Sequence, residues 1–150
     1  MINYGVTHPM KSEVYKKRYD FKALWRKAIA TKIRRGTMWR SKPEEECFKQ
    51  LCDHYGADDI KRHVIIDDHP IDFYIKSINT YIEEDGVYLH GLDRPIETIK
   101  QSQTTMDQVI ARKWDVDRRI DTWCSDHNLK LARVTDLQVL ESNEWLHILT

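Results

Sequence analysis

Three short β-branched and aromatic runs in close succession constrain this chain more than any other feature. His63-Val64-Ile65-Ile66 is the first, Ile71-Asp72-Phe73-Tyr74-Ile75 the second and Asn79-Thr80-Tyr81-Ile82-Glu83-Glu84 the third. Each reads as a strand. The cluster Asp67-Asp68-His69-Pro70 is a turn, and Asp85-Gly86 breaks the third run. Helical patterns bracket this group. Ser41-Lys42-Pro43-Glu44 is a helix start, with Ser as N-cap, Pro in the first turn and Glu at N3 closing a capping box. Cys47, Phe48, Leu51, Cys52 and Tyr55 then share one face, and Gly56 ends the helix. Downstream, Met106, Val109, Ile110, Trp114, Val116, Ile120 and Trp123 supply the apolar stripe of a helix from Glu97 or Thr105 through Trp123, with Asn128 as its stop. Leu129–Val134 alternates as a fourth strand, and Asp136–Glu141 restarts a helix or turn. At the front, about Ser12 to Arg35 fits an amphipathic helix with a heavily basic outer face, stopped by Gly36. This order predicts an α/β fold in a single domain: a mixed central sheet flanked by helices over 41–150, with a basic helical arm over 1–40.

A chain of 150 residues can bury about two-thirds of its unfolded surface, enough for one core. No run of about 18 apolar residues is present, which excludes a transmembrane helix. The N-terminus lacks a signal-peptide layout. Cys47, Cys52 and Cys124 are an odd count in no metal-binding pattern, so a reducing cytoplasm is expected.

The formal net charge of zero hides an asymmetry. Residues 1–40 carry eleven Lys or Arg against two acids, +9; residues 41–93 carry five against thirteen, −8; residues 94–150 carry eight against nine, −1. A basic arm attracts polyanions by releasing their condensed counterions. An acidic middle repels phosphate unless a cation intervenes. The pair suggests a nucleic-acid protein with a metal-dependent centre, or else a solvated basic helix beside a solvated acidic face.

The second and third strands each deliver acids: Asp72 in one, Glu83-Glu84-Asp85 at the end of the other. Carboxylates on adjacent strand ends can share Mg²⁺, or Mn²⁺, together with substrate phosphate. Asp72 lies in an apolar strand, where an unpartnered carboxylate is expensive. Glu44 is either a third acid or only a helix cap. His90, four residues past Gly86, has the chemistry of a general base. Asp117-Arg118-Arg119 either holds the His90 ring and a phosphate or is solvated helix surface. His54, His63, His69, His127 and His147 have no paired spacing and read as structural or surface residues. Nucleotide-binding and acyl-transfer motifs such as GxxxxGK[ST], GxGxxG and GxSxG are absent.

The ordered set Ser41-x-x-Glu44, Asp72-Phe73, Glu84-Asp85-Gly86-x-x-x-His90 and Asp117-Arg118-Arg119, followed by Asn128–Val134, resembles the very-short-patch-repair (Vsr) branch of the PD-(D/E)XK nuclease superfamily. More narrowly, it resembles the homing endonucleases named for an E, D, x, H, D order of active-site residues. The resemblance spans about Ser41 to Val134. It implies a restriction-endonuclease-like core and a Mg²⁺-dependent DNA endonuclease of the homing type. Glu44 matches the helix acid that helps hold a metal-coordinated water, with Glu45 and Glu46 as rivals in register. Asp72 matches the principal metal carboxylate. Glu84 takes the variable position that adds a metal contact, with Glu83 and Asp85 as weaker rivals. His90 matches the general base and Asp117 the acid supporting it. The metal set implied is therefore Asp72, Glu84 and Glu44.

The segment Gly86–Gly91 lacks the zinc-binding cysteines of the repair enzymes, and only Tyr88 there is aromatic, which favours the homing branch over mismatch repair. No Lys follows Glu84 as in the wider superfamily, and His90 would replace its function. Lys16, Lys17, Arg18, Arg26, Lys27, Arg34, Arg35 and Arg40 are expected to track double-stranded DNA, with Arg34, Arg35 and Arg40 the candidates for reading bases. A phage-encoded protein acting in a bacterial cytoplasm, with a homodimer as the expected partner arrangement, follows from the homing reading. The alternatives are a repair or restriction nuclease with the same core, and a non-catalytic nucleic-acid-binding module.

Overall fold

A computed structural model of the chain describes residues 21–36 and 38–149. The chain divides into two compact units, 1–39 and 40–150. In the first, helix α1 (Phe21–Arg35) carries Lys32, Arg34 and Arg35 in its last turn, where cations suit the negative end of the helix dipole. Gly36 ends it at φ +66°. The part of the expected arm helix before Phe21 lies outside the described residues, as do Lys16, Lys17 and Arg18.

The second unit runs α2 (Lys42–Tyr55), β1 (Ile60–Ile66), β2 (His69–Ile75), β3 (Thr80–Asp85), α3 (Ile96–Gln101), α4 (Thr105–Asp126), β4 (Lys130–Thr135) and α5 (Asp136–Glu141). Short 3₁₀ turns occupy Ala57–Asp59 and Glu144–Leu149. It is a mixed α/β unit. Strand order in the sheet is β1-β2-β3-β4, antiparallel through β3, with β4 parallel to β3. A parallel neighbour needs a long crossover, and α3 and α4 supply it. Two helices replace the one expected because Ser102 ends α3 and Thr104 caps α4 through the Asp107 N–H. β1 begins three residues before the expected strand, and the turn shrinks to Asp67-Asp68, both at positive φ.

Each face of the sheet has its own core. Cys47 and Leu51 of α2 pack with Phe73, Ile75, Ile82, Val134, Val139 and Trp145 on one side. Ile120 and Cys124 of α4 pack with Ile66 and Ile71 on the other. Fully burying side chains of this size stabilises by about 1.5–3 kcal/mol each.

The strands change sides at one point. Residues two apart on a regular strand share a face. Yet Phe73 packs under α2 while Ile71, with Val64 and Ile66, packs under α4. Arg62 pairs with Phe73 and Val64 with Ile71, so the reversal falls at His63 and Asp72. His63 sits at φ +54°, a region that β-strand residues rarely enter. Consecutive residues Arg62 and His63 consequently both reach the carboxylate of Glu44 on α2.

Candidate active site

The β2–β3 ladder runs from Ile75↔Thr80 to Phe73↔Ile82 and then forks. Carboxylates take over the backbone groups that the fork leaves without a strand partner. Asp72 N–H donates to Glu83 Oε1 at 2.8 Å, and Glu84 N–H donates to Asp72 Oδ2 at 2.8 Å. Buried N–H groups must find acceptors, and here two acids supply them. Asp72 and Glu84 are thereby tied together at the end of β3.

Glu44 stands beside them on the first turn of α2. Ser41 caps that turn by accepting the Glu44 N–H at 3.1 Å. The capping box expected there does not close. The Glu44 side chain turns instead to Arg62, with Oε2 2.6 Å from Nη2 and 3.5 Å from His63 Nε2. A charged guanidinium outcompetes a neutral N–H for a carboxylate. Glu45 shares Arg62 at 2.7 Å and lies nearer solvent. One ligand atom from each of Glu44, His63 and Asp72 lies within 4.8 Å of the others. Reading His63 as a bystander thus missed a residue of this cluster; its partners are Glu44 on α2 and Asp72 on the neighbouring strand, a convergence that spacing in sequence does not reveal.

His90 and Asp117 meet on the α4 side. His90 Nδ1 is 2.7 Å from Asp117 Oδ2 and 3.3 Å from Asp85 Oδ1. Two acids facing Nδ1 assign the ring proton to that nitrogen, so the neutral ring presents its lone pair at Nε2. Arg133 of β4 anchors the acids. Its Nη1 lies 3.1 Å from both Asp85 oxygens, its Nε donates to Asp121 at 2.7 Å, and its Nη2 donates to the Asp117 carbonyl at 3.3 Å. Neither Arg133 nor the role of Asp85 beside His90 was anticipated; parallel pairing of Asp85 with Thr135 and Glu83 with Arg133 brings β4 to this point.

The loop carrying His90 is clamped at several places. Val87 N–H donates to Asp136 Oδ1 at 3.1 Å, and His90 N–H to the Gly86 carbonyl at 2.9 Å. Arg94 grips Asp107 of α4 at 2.8 and 3.3 Å. Gly91 has φ +69°, and a Cβ there would stand 3.1 Å from Ile99 and Ile110, so this turn requires glycine.

The five expected residues therefore fall into two groups. Asp72 and Glu44 draw together with His63 on the α2 side, while Glu84 joins Asp72 there through its backbone N–H rather than its carboxylate; His90 and Asp117 form the other group on the α4 side. Two consecutive residues of β3 join them: Glu84 bonds Asp72 and Asp85 touches His90. Glu83, ranked below Glu84, is the more buried of the two and holds Asp72.

Electrostatics at the fork favour a bound cation. Burial, then the charge of Glu83, pushes Asp72 well above the ordinary carboxylate range. Burial and neighbouring acids push Glu83 up to about 8 and Glu84 to about 7. Burial alone would also raise Glu44, but His63 and Arg62 outweigh it and hold this carboxyl low. On the other side burial opposes ionisation of Asp117, and the His90 contact overcomes it. Crowded buried acids are what a divalent ion relieves. Glu84 Oε1 and His63 Nε2 are both buried without a hydrogen-bond partner. The donor set thus fits a divalent cation.

Of the basic candidates, Arg26, Lys27, Arg34 and Arg35 lie exposed on α1, and Arg40 belongs to the second unit, 3.9 Å from Glu45. Among the described residues no helix is long and apolar enough to cross a membrane. No family model, curated protein or solved structure matches this chain.

Proposed function

We propose that this chain is a metal-dependent, sequence-selective DNA endonuclease of the homing type. The observation that carries the reading is the end of β3, where Glu84 and Asp85 link an acid cluster suited to a cation with a histidine oriented by an acid. Asp72 and Glu44, with Glu84 adjoining through Asp72, would hold a divalent ion, which would supply Lewis acidity toward a phosphate oxygen. His90 Nε2 accepts the proton of the attacking water, and Asp117 keeps Nδ1 protonated and stabilises the imidazolium that forms. Glu83 and Arg62 hold Asp72 and Glu44 in place. The basic residues of α1, with those preceding it, take the DNA backbone. One such centre cuts one strand, so a double-strand break calls for a homodimer. The setting is the cytoplasm of a bacterial host, and the gene that of a phage.

Incubation of host and phage DNA with the protein, with Mg²⁺ or Mn²⁺ or with chelator, tests this. Discrete fragments that require the ion and vanish in Asp72→Asn and His90→Ala are expected. Retarded but uncut DNA under every condition would leave a binding module instead.

A further inference from the structure

His63 makes no contribution to the cleavage chemistry above, yet it is the most unusual residue of the site. It is 7% exposed, its Nε2 is buried without a hydrogen-bond partner, and its backbone is held at φ +54°. A buried polar atom without a hydrogen bond and a left-handed backbone at a non-glycine residue each cost stability. Both penalties accompany one arrangement, in which His63, Glu44 and Asp72 each bring a ligand atom within 4.8 Å of the others.

We infer that His63 Nε2 is the nitrogen ligand of a cation site completed by carboxylates of Glu44 and Asp72, and that this site selects later first-row ions such as Co²⁺ over Mg²⁺. The inference rests on the reading of the fork as a metal centre. Bonds of about 2.1 Å place adjacent ligand atoms roughly 3.0–3.4 Å apart. The Nε2–Oε2 separation of 3.5 Å is near that, and one ligand atom from each of the three residues lies within 4.8 Å of the others. Arg62 holds the same Glu44 oxygen, but an ionised carboxylate keeps further lone pairs. Mg²⁺ favours oxygen ligands and retains its waters, whereas imidazole suits the later transition ions, whose affinity for nitrogen rises along the first row. A histidine in the ligand set therefore shifts preference toward them.

The test uses the full chain, stripped with chelator and loaded with Mn²⁺ in the absence of DNA. Pulsed electron paramagnetic resonance is expected to detect an imidazole nitrogen bound to the ion, lost in His63→Gln and kept in His90→Ala. Co²⁺ affinity should fall about ten- to a hundredfold in His63→Gln, with Mg²⁺ affinity little changed. Absence of nitrogen coupling in the wild-type chain, or coupling that survives His63→Gln, overturns the inference; the wild-type spectrum decides it even if the variant fails to fold. A chain that binds Mn²⁺ through nitrogen yet cuts no duplex leaves the inference intact and removes the nuclease reading. One that cuts DNA without nitrogen coupling does the reverse.

Discussion

Nδ1 of His90 lies 2.7 Å from Oδ2 of Asp117, and both side chains are buried against α4. The acid fixes which nitrogen carries the proton. Asp117→Asn keeps the shape but offers an amide that can donate to Nδ1, reversing the tautomer and taking the lone pair from Nε2. Cleavage should fall about 10²- to 10⁴-fold, the range of a lost general base. DNA affinity should stay at the wild-type level. Single-turnover cutting and fluorescence anisotropy on one duplex measure both, and an Asp117→Asn protein cutting at the wild-type rate would remove His90 from the chemistry.

Arg133 is the cation that lets Asp85 and Asp117 remain buried side by side. Its side chain is 18% exposed and spans Asp85, Asp117 and Asp121. Burial alone would lower its pKa, but these acids outweigh it and raise it. Arg133→Leu strands buried acids without a counter-charge and should cost about 3–5 kcal/mol. Adding Asp85→Asn should recover part of the loss. Urea unfolding of the wild type, the two single variants and the double variant reads this; additive effects in the double variant would refute the coupling.

The strands, the helix start at Ser41 and the glycine stops were legible because local chemistry decides them: β-branched runs, an N-cap hydroxyl, residues able to take positive φ. Because 27 positions separate His90 from Asp117, the residues alone leave Asp117 as either the holder of the His90 ring or solvated helix surface, and the resemblance favours the first. What escaped was non-local. Glu44 abandons its capping box for Arg62, a partner 18 residues away. His63 enters the site because β1 changes face there, which no period-two pattern foretells. Glu83 outranks its neighbour in burial because the sheet forks beside it, a property of register rather than of composition.

Acid pH should loosen the His90 loop through Asp107, which the Arg94 clamp holds. Asp107, on the first turn of α4, is held at about 2, below its ordinary value of 3.8, first by hydrogen bonds from Arg94 and then from Ser102. The folded value is depressed, so this acid's contribution is present above about pH 4 and is lost as pH falls toward 2. Circular dichroism across pH 2 to 5 should show a shallower acid transition in Asp107→Asn than in the wild type, from a lower starting stability. Parallel acid profiles would show that the Arg94 clamp carries no linkage.

The basic residues of α1 make a separable prediction about DNA. Arg34 and Arg35 lie exposed in its last turn. If each meets one phosphate, each releases about 0.9 counterion on a duplex. The double variant Arg34→Gln/Arg35→Gln should therefore lower the slope of log affinity against log salt by roughly 1.8. Asp72→Asn, which alters the metal centre and no phosphate-binding cation, should leave that slope unchanged. Salt titrations by anisotropy, run in chelator so that no strand is cut, separate the two. An unaltered slope in the arginine variant would move the DNA contact away from α1.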